Sequence, residues 1–195
     1  MAPSASVYTM TKDLYFNNLT INTSVRLNPA GYRIFVKNLL TFAGNNATIG
    51  FTTGFSTAGS IYQGGAAATA VTHSLGGSAT GYTATAPTNA LGGSAYFKVG
   101  PQAITGYSIT ASGGPTWLRG GAGGSGQAGG GVVILAARYI AGPASGSTAY
   151  IKAPGTAPAG GGVIIVVSTG ASLPSTVSTD VTGQNAGTYN YIQLV

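Results

Sequence analysis

The sequence predicts an all-β fold: a β-solenoid-like or β-sandwich core that carries a long glycine-rich loop insert. Three observations lead there. Gly129-Gly130-Gly131 runs into Val132-Val133-Ile134-Leu135, and the same grammar returns thirty-one positions later as Gly160-Gly161-Gly162 before Val163-Ile164-Ile165-Val166. Unbroken β-branched and aliphatic runs of this length are too short for ordinary helices and read as strands buried on both faces. The first fifty residues are built instead of short pieces with apolar ends, separated by turn residues. Among these pieces, Leu19 and Ile21 recur as Leu40 and Phe42, twenty-one positions on.

Taken in order, residues 1–13 are polar and irregular, and are assigned as an N-terminal arm or entry segment. Residues 14–195 are assigned as a single all-β domain, with 51–127 as its insert. Leu14-Tyr15-Phe16, Leu19-Thr20-Ile21, Val25-Arg26-Leu27, Ile34-Phe35-Val36, Leu40-Thr41-Phe42 and Thr48-Ile49 show the alternation of half-buried strands. Asn17-Asn18, Asn22-Thr23-Ser24, Asn28-Pro29-Ala30-Gly31 and Gly44-Asn45-Asn46 punctuate them, all residues that turn the chain cheaply. Several short strands per period of about twenty residues is the pattern of a solenoid coil, whose rungs bury their inward residues on one another. A sandwich with tight turns is the competing reading.

The insert is rich in Gly, Ala, Ser and Thr, yet aromatics run through it, so an ordered, loop-rich segment with short strands at 95–99 and 107–110 is expected rather than a flexible linker. Beyond it the first glycine triplet enters a strand, Ala149-Tyr150-Ile151-Lys152 reads as another, and the second triplet enters a third. Tyr189-Asn190-Tyr191-Ile192-Gln193-Leu194-Val195 alternates and reads as a terminal strand. Each triplet is expected to bring the backbone into close approach and to permit positive φ.

Charged residues make up 5% of the chain, against about 25% in ordinary domains. There are only two acids, Asp13 and Asp180, and the formal net charge is +6. A surface so poor in charge suits a subunit covered by copies of itself or by a larger assembly. The bases stand singly, with no Lys/Arg run, which argues against nucleic acid as a partner. No cysteine is present, so thiolate chemistry and disulfides are excluded. Residues 1–13 hold no apolar signal region, and no aliphatic run is long enough to span a membrane, so no membrane insertion is expected.

The stretch from Leu19-Thr20-Ile21 through Val25-Arg26-Leu27-Asn28-Pro29-Ala30-Gly31-Tyr32-Arg33-Ile34 to Ile49-Gly50, followed by a glycine-rich middle and Gly-Gly-Gly-Val-Val-Ile, resembles glycine-rich bacteriophage virion surface proteins. These are head decoration (cement) proteins and tail-fibre and spike components. The resemblance covers residues 14–50 and 126–195. The middle departs from it, because aromatic and Ala-Thr pieces interrupt the polyglycine pattern. The resemblance implies a virion structural protein, a homotrimer that contacts other virion proteins such as the major capsid protein. The short chain and the lack of a long polar shaft repeat favour a cement protein that stabilises the assembled head. The alternative is a tail-fibre or spike-tip adhesin that binds a host surface receptor. A secreted bacterial surface-matrix protein is a further alternative, disfavoured by the missing signal.

The sequence offers little chemistry. Glycoside hydrolysis calls for two carboxylates flanking one bond, and Asp13 and Asp180 both sit in polar, irregular contexts. The one histidine, His73, has no Gly-x-Ser-x-Gly elbow near it. No metal-ligand cluster or phosphate-binding loop is present, so no enzyme, catalytic residue, metal or cofactor is expected. Tyr62, Tyr82, Tyr96, Tyr107 and Trp117 are the candidate partner contacts, since such rings stack on sugars and are favoured at protein interfaces.

Overall fold

The structure is a computed structural model. It describes residues 6–52, 129–156, 159–184 and 186–195, together with the backbone of short strands within 70–72, 78–80, 96–97 and 106–107. The described residues are all-β, without a helix. The first part of the chain forms β1 (Val7–Thr9), β2 (Leu14–Phe16), β3 (Leu19–Ile21), β4 (Arg26–Asn28), β5 (Arg33–Phe42) and β6 (Thr48–Gly50). Then come β7 (Ala70–Thr72), β8 (Ser78–Thr80), β9 (Tyr96–Phe97) and β10 (Gly106–Tyr107), which pair antiparallel as β7 with β8 and β9 with β10. The last part forms β11 (Val132–Ala141), β12 (Ala149–Lys152), β13 (Val163–Ser168), β14 (Val177–Asp180) and β15 (Thr188–Gln193).

Two sheets make the body. Sheet I has the order β1-β4-β6-β12-β14, and sheet II has the order β15-β13-β11-β5-β2, with β3 also on β5. Every pairing in both sheets is parallel. The chain visits the sheets alternately, and each new strand pairs with the strand of the previous visit to that sheet.

The two recurrences in the sequence are strand registers. Leu19 faces Leu40 and Ile21 faces Phe42 across the β3–β5 pair. Val132 faces Val163, and Ile134 faces Ile165, across the β11–β13 pair. Parallel neighbours with one inward parity must repeat their apolar residues at the length of the intervening loop of chain, and that is the periodicity visible in the sequence.

The core lies between the sheets. Ile34, Leu40, Phe42, Leu135 and Ile164 come from sheet II, and Leu27, Ile49 and Ile151 from sheet I. Side chains alternate across a strand, so Val132, Val163 and Ile165 belong to the other face of sheet II, where they form a second, smaller buried cluster. The aliphatic runs are thus buried on both faces as expected, with one exception: Ile134 is only half-buried, beside a groove on the outer face of sheet II.

Several local expectations change. Ile34–Val36 and Leu40–Phe42 are halves of one ten-residue strand, β5, interrupted by a bulge where Val36 faces Ala137 but Leu39 faces Tyr139. Val7–Thr9, within the segment expected to be irregular, is the first strand of sheet I, and Met10 beyond it is buried in the core. Asp180 likewise ends a strand rather than sitting in irregular chain. Phe51 also belongs to the core and not to the insert.

The corners explain the glycines. Gly130 N–H donates to Gly160 O at 2.9 Å, and Gly162 N–H donates to Ala153 O at 2.7 Å, so the two triplets lie against each other backbone to backbone. A Cβ on Gly162 would meet the Gly130 and Gly131 carbonyl groups. Close approach is therefore the whole reason for the triplets. Positive φ is not: among the described glycines it occurs at Gly31, Gly50 and Gly146. The opposite corner, entering sheet I, uses left-handed residues in successive turns, with φ of 65° at Ser6, 58° at Ser24, 57° at Asn46 and 87° at Gly146. These turns bond to one another: Ser24 N–H donates to Asn45 O at 3.0 Å and Asn46 N–H to Thr148 O at 2.9 Å.

Candidate functional site

The residues expected to contact a partner do not supply a site that can be described. Tyr62, Tyr82 and Trp117 lie outside the described residues, as does His73. Tyr96 and Tyr107 are opposite one another in the β9–β10 ribbon, of which only the backbone is described.

The described surface instead presents a groove of about 610 Å³ on the outer face of sheet II. Alternation places it there. Leu14, Phe16, Ile34 and Val36 point inward, so Tyr15 and Phe35 between them point out. Tyr15 pairs with Phe35, and Phe35 with Ala136, in adjacent strands. The Tyr15 and Phe35 rings stack with centroids 4.7 Å apart and planes within 6°. Ala136 and Val167 continue the row, and Lys37 and Arg138 flank it. Tyr15 remains 73% exposed and the neighbouring Tyr139 51% exposed. Exposed aromatics over an apolar row, with cations at the side, are the composition of a protein-contact surface.

Charges near the Tyr15–Phe35 stack are held in place. The Asp13 carboxylate takes hydrogen bonds from the Arg33 backbone N–H and from Nε, each at 2.8 Å, and from Nη2. Burial pulls the Asp13 carboxyl upward, but the Arg33 hydrogen bonds and charge outweigh it and leave the group below its ordinary value. The Arg33 guanidinium also lies 5.7 Å from the Phe35 ring centroid, and that of Arg138 lies 5.2 Å from Tyr139's. Asp180 is occupied elsewhere, 3.8 Å from Lys152 Nζ at the far edge of sheet I. The two carboxylates thus serve separate ion pairs. Among the described residues no three His, Cys, Asp or Glu side chains gather.

The outer face of sheet I has a second concavity, a polar depression of about 300 Å³ around Arg26, Thr48 and Tyr150. These three are register neighbours on β4, β6 and β12. Ser24 and Asn46, from the left-handed corner turns, form part of its wall. Lys152 Nζ sits 4.3 Å from the Tyr150 ring centroid at its side. Gly50 is needed beside it, because its φ is 132° and a Cβ would strike the Lys152 main chain.

The spacing of twenty between Tyr15 and Phe35 was the available signal for the sheet II groove, since both are the middle residue of a strand with inward ends. Comparison with protein families, with curated proteins and with solved structures finds no match for this chain.

Proposed function

We propose that this is a bacteriophage virion structural protein, a capsid decoration (cement) protein that binds the assembled head and stabilises it. Its body is read as a β-solenoid-like coil. Alternate visits to two parallel sheets, with the sequence repeats as strand registers, support that reading over a sandwich. The observation that carries the functional reading is the outer face of sheet II: an exposed Tyr15–Phe35 stack and Tyr139 on an apolar row, in a chain with little charge to solvate it. Such a face is stable when a second protein covers it, and the major capsid protein is the proposed cover. Binding only the assembled lattice stabilises it by mass action. The chain acts without catalysis or cofactor. It associates as a homotrimer, because the strand edges of β14 and β15 end the sheets and need neighbours.

The experiment is depletion and add-back. Virions without the protein should release DNA at lower temperature, and adding wild-type protein should restore the threshold. The Tyr15→Ala variant should restore it poorly. Depleted virions with unchanged heat resistance overturn the cement reading.

A second reading, a tail-fibre or spike-tip adhesin for a host surface receptor, is favoured by the polar depression at Arg26. It predicts depleted virions that keep their heat resistance and fail to adsorb.

A further inference from the structure

We infer that the groove on the outer face of sheet II receives an acidic segment of a different protein, with one apolar side chain seated over Ala136 and a neighbouring carboxylate held between Lys37 and Arg138. This role rests on the proposal that a second protein covers the face, and it specifies that protein's chemistry.

The slot comes from one small residue in a row of larger ones. Tyr15, Phe35, Ala136 and Val167 are successive register partners on β2, β5, β11 and β13. The Tyr15 and Phe35 rings stack with centroids 4.7 Å apart, the spacing of neighbouring strands, so their planes stand across the direction of the row. The second face of Phe35 therefore turns towards the next strand, where Ala136 has only a methyl group and leaves the space beside the ring unfilled. Val167 forms the wall on the far side. A ring face opposite a branched aliphatic wall suits an apolar side chain. The groove, about 610 Å³, has room for a few residues of a peptide rather than for one small ion.

The charged end comes from the next positions along the same strands. Lys37 and Arg138 directly follow the register pair Val36–Ala137, both are exposed, and both line the groove. Two like charges on adjacent strands repel, and an anion between them removes the repulsion. The whole chain has two acidic side chains, Asp13 and Asp180, so the residues outside the described ones add none. Both are engaged, Asp13 with Arg33 and Asp180 with Lys152. Neither ion pair of the described residues includes Lys37 or Arg138. A second copy of this chain would bring the same two engaged carboxylates and the same excess of cations, so charge complementarity selects a different chain. A nucleic acid would need a longer track of cations than these two.

The test measures binding of the purified full chain to virions depleted of it, beside the melting temperature and sedimentation of each variant. Lys37→Glu and Arg138→Glu should each weaken binding about tenfold or more, and added salt should weaken wild type more than either variant. Ala136→Leu, which fills the slot from an open face, should weaken binding by a similar factor and melt close to wild type. Ser178→Glu, which adds an acid to the outer face of sheet I, should bind as wild type. If Tyr15→Ala weakens binding while Lys37→Glu, Arg138→Glu and Ala136→Leu bind as wild type, the face still meets a partner and only the acidic, apolar segment is overturned. If Tyr15→Ala and these three variants all bind as wild type, the proposal that a protein covers the face falls as well. Equal loss in Ser178→Glu overturns the inference. So do charge reversals that break the free oligomer and spare virion binding, because they place a second copy in the groove.

Discussion

The two outer faces of the molecule follow the same rule and arrive at opposite chemistry. Both sheets point one parity of side chains into a shared core. On sheet II the other parity is Tyr15, Phe35, Ile134, Ile165 and Val167, an apolar and aromatic row whose carboxylate-bound Arg33 is an ornament at its edge. On sheet I it is Arg26, Thr48, Tyr150 and Ser178, a polar row whose cation joins no ion pair among the described residues. The difference teaches that the register specifies where a side chain points, while the strand's outward residues alone decide what it meets. A body of two parallel sheets can therefore carry outer faces of different chemistry without altering its core.

The largest expected effect tests whether the core really is common to both faces. Ile164 is fully buried between the sheets, and its neighbour Ile165 points the other way into the smaller cluster. Ile164→Ala should cost about 2–5 kcal/mol of unfolding free energy in urea titrations, and Ile165→Ala less. Equal costs would mean that the second cluster is as extensive a core as the first, and the distinction between inner and outer faces would fail on sheet II.

The next effect separates stability from contact. Tyr15→Ala removes an exposed ring that stacks on Phe35, so the fold should lose about 1 kcal/mol or less. Binding to the proposed capsid partner should lose about 2 kcal/mol, as for a central aromatic anchor. Pull-down with assembled particles, beside thermal melting of the free protein, measures both. Particle binding unchanged by Tyr15→Ala would remove the main reason for assigning the sheet II face to a partner.

Much of this was legible in the sequence. The spacings of twenty-one and thirty-one are the registers of β3 on β5 and of β11 on β13, because parallel neighbours repeat their inward residues. Alternation within Leu14-Tyr15-Phe16 and Ile34-Phe35-Val36 also puts Tyr15 and Phe35 on the outer side of their strands, where they stack. Other features have no local signature. β14 holds one apolar residue, Val177, and is a strand because the neighbouring visit of the chain offers it a ladder. The left-handed Ser6, Ser24 and Asn46 are set by a corner that stacks on itself. That Arg26 joins neither ion pair of the described residues emerges only after both carboxylates have been assigned in space.

A smaller effect concerns the edge of the apolar face. Asp13 titrates below its ordinary value of 3.8 because Arg33 binds its charged form more strongly than burial disfavours it. A carboxyl lowered by folding contributes stability above its ordinary value and loses it as pH falls through the lowered one. Asp13→Asn should therefore cost up to about 1 kcal/mol near neutrality, as expected for a partly exposed pair. The difference from wild type should shrink as pH falls below 3.8. Urea midpoints at neutral and acid pH provide the check. A deficit that persists in acid would assign Asp13 a role in shape rather than charge.

The smallest effect lies at the end of sheet II, where β15 has a strand on one side only. Tyr189 faces Ile164 there, and burial pushes its phenol up from 10.0 to about 12, with the neighbouring Tyr191 adding to the shift. The sign is opposite to that of Asp13. A phenol raised by folding contributes stability below its ordinary value, and that contribution is lost as pH rises from 10.0 through about 12. Tyr189 is also partly exposed, so the loss should be slight, seen as a small drop in melting temperature over that range that Tyr189→Phe abolishes. Ultraviolet titration of the folded wild type should show a phenol that ionises near 12 and is missing in Tyr189→Phe. A Tyr189 phenol that ionises near 10 would place its ring in open water. Tyr191 would then be the residue that carries the inward side of β15 against the core, with Ile192 on the outer cluster.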